Sequence, residues 1–507
     1  MPWPDGSPTL ISRFGDALRQ AGYSEAGLRQ AVGTASSLTH DPRAIEIARR
    51  RLQSGTALDT LITLFCLGTP VPTDELIGAV GGSSVDNLVR IAVVTQERDR
   101  ISPLIAIDAA QELLIAHDPA HRGEPMAADH VIGLGPAPRT LAALTVRSRA
   151  GHVLDLGTGS GIQALLALSH SDRVVASDIN PRALAYTHFN AALNRLAVPT
   201  TRQGDLFQPV AGEGFDLIVA NPPYVLSPDS SLRFRDGGMA GDELSRTVVR
   251  EAAGHLNDGA FASILVSWAP QEDEAWAEPL RAWVGGLGCD ALLLRFRSYD
   301  PLTYASLWIK DEAEFATTLD RWLAYYRRLE IRAISSGAII LRRRSGINWR
   351  RSAQVRAAPI QNASDHLRRI FDAGTLLSRM SDAELIDQRF RAHPGHRIHR
   401  TGLSAGGSYR VDSQYLETTE GIPFRISLGE LGSHLLPQLD GSQSLRAITA
   451  KLTQMAPGMA SDEIARRSIQ VVRQLLGLGF LEIDGPPIDP LAMVNRRHEK
   501  ERSLVTP

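Results

Sequence analysis

Only two cysteines, Cys66 and Cys289, occur in 507 residues. Two thiols are too few for a disulfide framework or for a zinc site built mainly of thiolates. Net charge is nearly absent too: 54 Lys+Arg against 56 Asp+Glu leave a formal charge of −2. That excludes a protein that coats nucleic acid through bulk positive charge, although a local basic face stays open. Long apolar runs are missing. The strongest near the N-terminus, residues 58–67, is interrupted by Asp59 and two threonines and falls far short of the roughly 20 residues that span a bilayer. The opening MPWPDGSPTLISRFGDAL has neither a basic n-region nor an apolar h-region. No signal peptide and no membrane partner are expected, and the cytoplasm is the default compartment. With 43% hydrophobic and 22% charged residues, wholesale disorder is excluded.

Length alone suggests about three domains at roughly 150 residues each. Residues 1–120 read as a mostly helical, winged-helix-like domain, with a helix start at Thr73-Asp74-Glu75 and a short strand pair over 101–107. The alternative is a cap that packs on the next domain. Residues 121–136 have the Gly/Pro composition of a linker or lid. Within a domain expected over 121–345, residues 150–345 alternate strand and helix, with strands expected at 152–156, 174–177, 215–220, 261–266, 291–296 and 338–341 and a helix over 314–330. Continuous apolar strands of this kind argue for an α/β fold with a parallel sheet covered on both faces. Residues 346–490 are harder to read until 427–484. There, Leu431, Leu435 and Leu436, then Leu445, Ile448 and Leu452, then Ile469, Val472, Leu475 and Leu476 mark three helices before a strand at 480–483. This second winged-helix-like module is similar to the peptide-binding PqqD-like domains. Residues 491–507 are expected to be a flexible tail.

The chemistry concentrates in one stretch. Val153-Leu-Asp155-Leu-Gly157-Thr158-Gly159-Ser-Gly161-Ile162 is an apolar strand that enters a turn with glycine at every second position, then an apolar helix. Glycines let the backbone turn tightly and let a ligand approach the main chain. The next strand ends at Asp178-Ile179, 178 − 155 = 23 positions on, where a carboxylate can accept both ribose hydroxyls of a nucleoside. Asp178 could alternatively cap the helix that starts near Pro181. Gly204-Asp205-Leu206-Phe207 follows a third strand, so Asp205 could accept from an adenine amino group while Leu206 packs on the ring. Phe215–Ala220 runs into Asn221-Pro222-Pro223-Tyr224. All four loops fall at carboxyl ends of strands, where open α/β sheets bind ligands.

These four motifs, in this order, resemble class I S-adenosylmethionine-dependent methyltransferases over about residues 130–345. The resemblance implies a Rossmann-like, seven-stranded sheet and S-adenosyl-L-methionine as cofactor. It implies that Asp155, Gly157, Thr158, Gly159, Gly161, Asp178, Ile179, Asp205, Leu206 and Asn221 bind that cofactor, and that Asn221, Pro222, Pro223 and Tyr224 are catalytic. The Asn-Pro-Pro-Tyr loop is that of the subgroup that methylates planar NH2 nitrogens: glutamine side chains of proteins, or amino groups of nucleobases. The stretch Asp236-Gly-Gly-Met-Ala-Gly-Asp242, followed by Leu256-Asn-Asp-Gly259, resembles release-factor glutamine methyltransferases. The N-terminal region and about 160 C-terminal residues depart from that family.

The residues explain the chemistry. An amide nitrogen is a poor nucleophile because its lone pair is delocalised. The Asn221 side-chain oxygen and the Pro222 carbonyl can accept its two N–H bonds, the paired prolines stiffen the loop, and Tyr224 offers an aromatic wall. A protein glutamine and a nucleobase, RNA ahead of DNA, stay open as substrates. The Gly/Asp stretch tilts toward glutamine. The arginines at 342–344 and 350–351 tilt toward nucleic acid if they form a phosphate patch rather than a solvated edge. His393, His396 and His399 read as a solvated Pro/Gly loop, not a metal site. Two other classes stand beside the enzyme: an NAD-dependent oxidoreductase, whose Gly-x-Gly-x-x-Gly spacing is not matched, and a non-catalytic cofactor-binding scaffold or regulatory protein.

Overall fold

The computed structural model describes residues 8–483 except 35, 37, 39–40, 53, 82–83, 120–125, 230–237, 274, 310–313 and 456–457. The chain divides into two compact units, Met1–Ser364 and Asp365–Pro507. Residues 1–120 and 121–345, expected as separate domains, therefore share one unit that runs to Ser364. The expected tail at 491–507 lies outside the described residues, as does part of the linker.

The first unit opens with helices α1 (Pro8–Gln20), α2 (Glu25–Val32), α3 (Pro42–Arg51) and α4 (Ala57–Phe65). Strand β1 (Val71–Pro72), helices α5 (Thr73–Val80) and α6 (Val85–Arg90), and strands β2 (Val94–Glu97) and β3 (Arg100–Pro103) follow, the strands forming a sheet of order β1-β3-β2. A hairpin, β4 (Ala106–Ala110) and β5 (Leu113–His117), leads to α7 (Pro136–Leu144). The central sheet comprises β6 (Ala150–Leu156), β7 (Ser171–Asp178), β8 (Thr200–Gln203), β9 (Phe215–Ala220), β10 (Leu256–Trp268), β11 (Cys289–Tyr299), β12 (Ile334–Arg343) and β13 (Arg350–Gln354). Between them lie α8 (Ile162–Ala167), α9 (Pro181–Leu193), α10 (Glu243–Gly254), α11 (Glu278–Trp283), α12 (Pro301–Trp308) and α13 (Phe315–Arg328).

The sheet order is β13-β11-β12-β10-β9-β6-β7-β8. Two expectations are corrected here. The sheet has eight strands, not seven, and it is mixed: β12 runs antiparallel to both β10 and β11. The eighth strand, Arg350–Gln354, pairs parallel with β11. It escapes an apolar-run search because it is a polar edge, and charge is a usual property of edge strands. Order reverses at β6, which pairs with β7 on one side and β9 on the other. A cleft is expected at that switch point.

The N-terminal helices pack on the sheet's own helix α9. Buried Phe14 and Leu18 of α1 share a core with Tyr186, Phe189 and Leu193 of α9. At the crossing a Cβ on Gly15 would lie 2.1 Å from the Leu193 carbonyl oxygen, so only glycine lets the two backbones approach. Arg19 donates to the Leu193 carbonyl at 3.1 Å and to Asn194 Oδ1 at 2.6 Å, and Ser12 Oγ donates to the Ala192 carbonyl at 2.9 Å. A cation and a hydroxyl thus satisfy the carbonyl end of α9.

Arg342 and Arg344 are not a solvated edge, whereas Arg350 is exposed on the edge strand β13. Asp290 on β11 is fully buried. It accepts from Arg344 at 2.8 and 3.0 Å, from Arg342 at 3.2 Å and from the Trp349 N–H at 3.2 Å. Burial pushes this carboxyl up, but the Arg344 hydrogen bond, the Trp349 amide and Arg342 outweigh it and hold it low. Arg343 donates to the Ala253 carbonyl. These arginines tie β12 to the start of β13.

In the second unit α14 (Ser364–Leu377) and α15 (Asp382–Leu385) precede β14 (Arg389–Ala392), β15 (His396–Ala405), β16 (Ser408–Thr418) and β17 (Arg425–Ser427). Helix α16 (Glu430–Leu435), β18 (Asp440–Ser444), α17 (Leu445–Met455), α18 (Ser461–Gly477) and β19 (Leu481–Ile483) complete it. The strands form two sheets, β15-β16-β17 and β18-β14-β19. His396 and His399 therefore sit on a strand, not in a loop; His399 stacks on Tyr415 of the neighbouring strand with centroids 4.7 Å apart.

His366 joins separate parts of this unit. Its Nε2 faces the Leu478 carbonyl at 2.8 Å, and its Nδ1 accepts the Ile422 N–H at 3.2 Å. The ring is thereby fixed as the neutral tautomer with the proton on Nε2, and burial pushes its pKa down to about 4. A depressed histidine pKa gives stability that is complete above the unfolded value, about 6.5, and is lost as pH falls through that value toward the folded one. Lowering the pH from 7 to 4 should therefore cost the second unit about 2–3 kcal/mol. Hydrogen exchange over residues 365–483 measures this, and protection independent of pH would contradict it.

Candidate active site

The cleft at the switch point has a volume of about 340 Å³, within the range of small-ligand sites. Of the expected residues it is lined by Asp155, Gly157, Thr158, Gly159, Asp178, Ile179, Asp205, Leu206, Asn221, Pro222 and Pro223.

The glycines divide into two kinds. Gly157 and Gly159 have φ of +69° and +55°, and a Cβ on either would meet nothing within 4 Å. Their Cα faces open onto space a ligand can fill. Gly161, at φ +89°, faces inward: its Cβ would lie 3.0 Å from the Thr187 Cα of α9. It serves helix packing, not the ligand.

The turn is held from two sides. Gly157 and Thr158 donate N–H bonds to the Ser177 carbonyl at 2.9 and 3.0 Å, and Gly159 donates to Asp178 Oδ2 at 2.9 Å. Asp155 Oδ2 accepts from Thr158 Oγ1 at 2.7 Å and from the Ala164 N–H at 2.9 Å. The Asp155 carboxyl is buried and pushed up to about 7 by burial, with Asp178 adding to the rise. Its main contacts brace the turn against α8.

Asp178 Oδ1 accepts the Asn180 N–H at 2.8 Å, while Asn180 Oδ1 accepts the Arg182 N–H at 3.0 Å and so caps α9. The capping role goes to Asn180, while Asp178 lines the cleft. Ile179 is 48% exposed and lines the cleft, as does Ile132 at 38%. Two apolar side chains left uncovered beside a polar turn suit a flat aromatic ring. Leu206 adopts φ +46°, a strained conformation for a branched residue and one that collects at ligand sites. Among the described residues, no side chain holds the exposed Asp205 carboxylate.

Tyr224 does not line the cleft. Burial pushes its phenol up to about 12, and the chain around it turns into an aromatic layer. Tyr326 Oη donates to the Leu226 carbonyl at 2.8 Å, Tyr304 Oη accepts the Leu226 N–H at 3.3 Å, and Tyr325 Oη accepts the Gly241 N–H at 2.8 Å. Helices α12 and α13 thus grip the acceptor loop at 226 and again at 241. Asp242 accepts the Ala269 N–H at 3.1 Å at the end of β10. Asp236 and Gly237, from the stretch singled out by sequence, lie outside the described residues.

Sequence reading missed the wall contributed by His130, Val131, Ile132 and Gly133, together with Gln163, Asn180 and Leu244. Asn180-Pro181 carried a signal, a capping side chain ahead of proline at the first helical position. Residues 130–133 fall in the stretch whose composition suggested a linker or lid, but no residue there marked a cleft wall.

Residues 136–268 match the model of the methyltransferase small domain, and residues 20–104 match a domain of unknown function (DUF7059). Three curated relatives are similar to this chain. A ribosomal protein uL3 glutamine methyltransferase of Bradyrhizobium diazoefficiens is 37% identical, over 26% of this chain and 46% of its own. A release factor glutamine methyltransferase of Geobacter sulfurreducens is 35% identical, over 24% and 47%. That of Moorella thermoacetica is 38% identical, over 22% and 45%. The chain spans about half the length of these relatives. The matched segment is a class I methyltransferase domain similar to those of the glutamine methyltransferases, and its fold implies S-adenosylmethionine as methyl donor.

The glycine geometry makes a contrast to measure. Gly161→Ala should cost about 3 kcal/mol of stability, from strain plus the Thr187 clash. Gly157→Ala should cost about 1 kcal/mol, from strain alone. Urea unfolding decides it, and equal losses would mean the two glycines do the same work.

Proposed function

We propose that the protein is an S-adenosylmethionine-dependent N-methyltransferase that acts on the side-chain amide of a glutamine in a protein. One observation carries the reading: the Asn221-Pro222-Pro223 loop and the open glycine turn border the same cleft. The curated relatives, whose names record glutamine methylation, support it. Two of the arginines that tilted toward nucleic acid, Arg342 and Arg344, are held by Asp290 instead.

The cofactor, when bound, supplies a methyl group activated on a sulfonium. Asp178 would accept from the ribose hydroxyls. Ile179 and Leu206 would cover the adenine, and Asp205 would accept from its amino group. The Asn221 Oδ1 and the Pro222 carbonyl would accept the two N–H bonds of the substrate amide and aim its nitrogen at the methyl. Positioning of this kind is worth up to roughly 7–11 kcal/mol. As the methyl passed from sulfur to nitrogen, S-adenosylhomocysteine would be the leaving group and the proton would pass from the cationic nitrogen to water, so no strong base is required before attack.

The flanking regions fit a macromolecular substrate. The order α4-β1-α5-α6-β2-β3 supports a winged-helix-like reading of the N-terminal region, and α16–α18 with β14, β18 and β19 support a similar one for the second unit.

Tritiated cofactor incubated with fractionated cell extract should label protein, with N5-methylglutamine recovered on exhaustive proteolytic digestion and labelled methylamine released on acid hydrolysis. Label in RNA would overturn the glutamine assignment. Asn221→Ala should abolish transfer and leave cofactor affinity within a few-fold, since that side chain holds the acceptor; equal loss of both would give the loop another role. Asp178→Ala should weaken cofactor binding by about 1–3 kcal/mol in isothermal titration, from lost charge-assisted hydrogen bonds. Unchanged affinity would contradict the ribose contact.

A further inference from the structure

Residues 105–135 lie between the two matched segments, 20–104 and 136–268, so neither match assigns them a role. They contain the hairpin β4–β5 and the cleft wall at 130–133. We propose that the hairpin positions this wall for the cofactor, with Asp108 and Asp118 as positioning residues. The proposal rests on the cofactor reading above.

The hairpin is fixed first. Asn190 and Asn194, one turn apart on α9, each pair with both backbone groups of a β5 residue. Asn190 Oδ1 accepts the Ala116 N–H at 2.8 Å and its Nδ2 donates to the Ala116 carbonyl at 2.9 Å. Asn194 does the same for Leu114 at 2.9 and 2.7 Å. Four helical residues rise about 6 Å and two strand residues about 6.8 Å, so the two amides match the strand's repeat and stand in for a neighbouring strand. Asn190 Nδ2 also donates to the Ser160 carbonyl at 2.8 Å, which ties the hairpin to the glycine turn itself.

The wall is then hung on the hairpin. Asp108 Oδ2 accepts the Leu134 N–H at 2.6 Å, and Asp118 Oδ2 accepts the Val131 N–H at 2.9 Å. The Asp118 N–H returns a bond to the Val131 carbonyl at 3.0 Å. His117 links the two anchors, with Nε2 3.3 Å from Asp108 Oδ2 and Nδ1 2.9 Å from the Asp118 carbonyl. Both nitrogens face acceptors, an arrangement that favours the doubly protonated ring. Burial alone would lower its pKa, and the Asp108 charge and hydrogen bond outweigh that and raise it. A Cβ on Gly133 would lie 2.4 Å from His117 Nε2 and 2.5 Å from Asp108 Oδ2. No methyl group fits between the cleft wall and this buried pair.

The same anchors reach the ribose side. Arg182 grips Asp118 through Nε at 2.8 Å and through its second nitrogen, and Tyr186 Oη donates to Asp118 at 2.6 Å. Arg182 follows Asn180, whose Nδ2 donates to the Asp129 carbonyl at 2.8 Å. The wall at 129–134 has no regular structure of its own, so these side chains set where Ile132 stands across from Ile179.

The test is isothermal titration of the full chain with S-adenosylhomocysteine and S-adenosylmethionine, combined with hydrogen exchange. Arg182→Gln removes the grip on Asp118 from a partly exposed position. It should weaken affinity about tenfold, as misplacement of a positioning group does, and should raise exchange at Val131 while the sheet amides stay protected. Arg182→Lys should restore part of the affinity. Asp108→Asn is a second variant, expected to weaken binding similarly and to raise exchange at Leu134. Asp16→Ala removes an ion pair to Arg195 that includes neither Asp108 nor Asp118 and should leave affinity unchanged. Wild-type affinity in Arg182→Gln and Asp108→Asn, or an equal loss in Asp16→Ala, would overturn the proposal. No binding by the wild-type protein would instead overturn the cofactor reading.

Discussion

A turn made of glycine has no side chains with which to hold itself, and the site depends on how this one is held. Its amides at 157 and 158 both reach the Ser177 carbonyl, and its amide at 159 reaches the Asp178 carboxylate. The turn is therefore fastened to the end of β7, the strand that carries Asp178 into the cleft. Because β6 and β7 pair in parallel register up to Leu156 and Ser177, the two strands end side by side and deliver the turn and the acid together. Buried Asp155 completes the arrangement from beneath, at the cost of a carboxyl that burial pushes up to about 7. The positive φ values that the turn requires would strain any L residue, and open space at two of the three positions shows that the conformation serves an exterior purpose.

What the sequence made legible follows from this. Motifs whose function is exercised by backbone and by residues adjacent in the chain could be read directly: the glycine turn, the acids at the ends of β7 and β8, and the Asn-Pro-Pro loop at the end of β9 all line one cleft. What could not be read depends on partners remote in the chain. Arg342 and Arg344 look like a free basic patch until Asp290, 342 − 290 = 52 positions earlier, is found fully buried between them. The strand at 350–354 is too polar for an apolar-run search and exists because its neighbour β11 offers an unpaired edge. The wall at 130–133 has a linker's composition and becomes a wall only because Asp108 and Asp118 accept its amides. Tyr224 was read as facing the substrate because the family motif is contiguous, but the loop turns after Pro223 and leaves it outside the cleft lining.

The N-terminal helices take their place from the same logic. Helix α9 carries Asn180 at its start, Arg182 and Tyr186 in its first turns, and Asn190 and Asn194 near its end. The first three face the cleft wall or its anchors, and the last two hold the hairpin. On its other side α9 contributes Phe189 and Leu193 to the N-terminal core. One helix thus belongs to both the nucleoside site and the N-terminal core, which explains why the chain shows no division near residue 120.

The acceptor side is built differently from the cofactor side, and the difference bears on the substrate. Carboxylates and amides hold the cofactor wall, whereas phenols hold the acceptor loop: Tyr304 and Tyr326 at Leu226, Tyr325 at Gly241. These belong to α12 and α13, inserted between β11 and β12, with Trp322 and Arg321 joined to Asp229 on the same loop. Arg342 and Arg344 are taken up by Asp290 and Arg321 by Asp229, whereas Arg327 and Arg328 of α13 and Arg350 on the edge strand are exposed. The aromatic layer fixes both ends of this loop through neutral hydroxyls on backbone groups. An Asn221 side chain that accepts from a planar NH2 would not distinguish an amide from a base. Discrimination between them would then rest on the surroundings of that loop, which α12 and α13 supply.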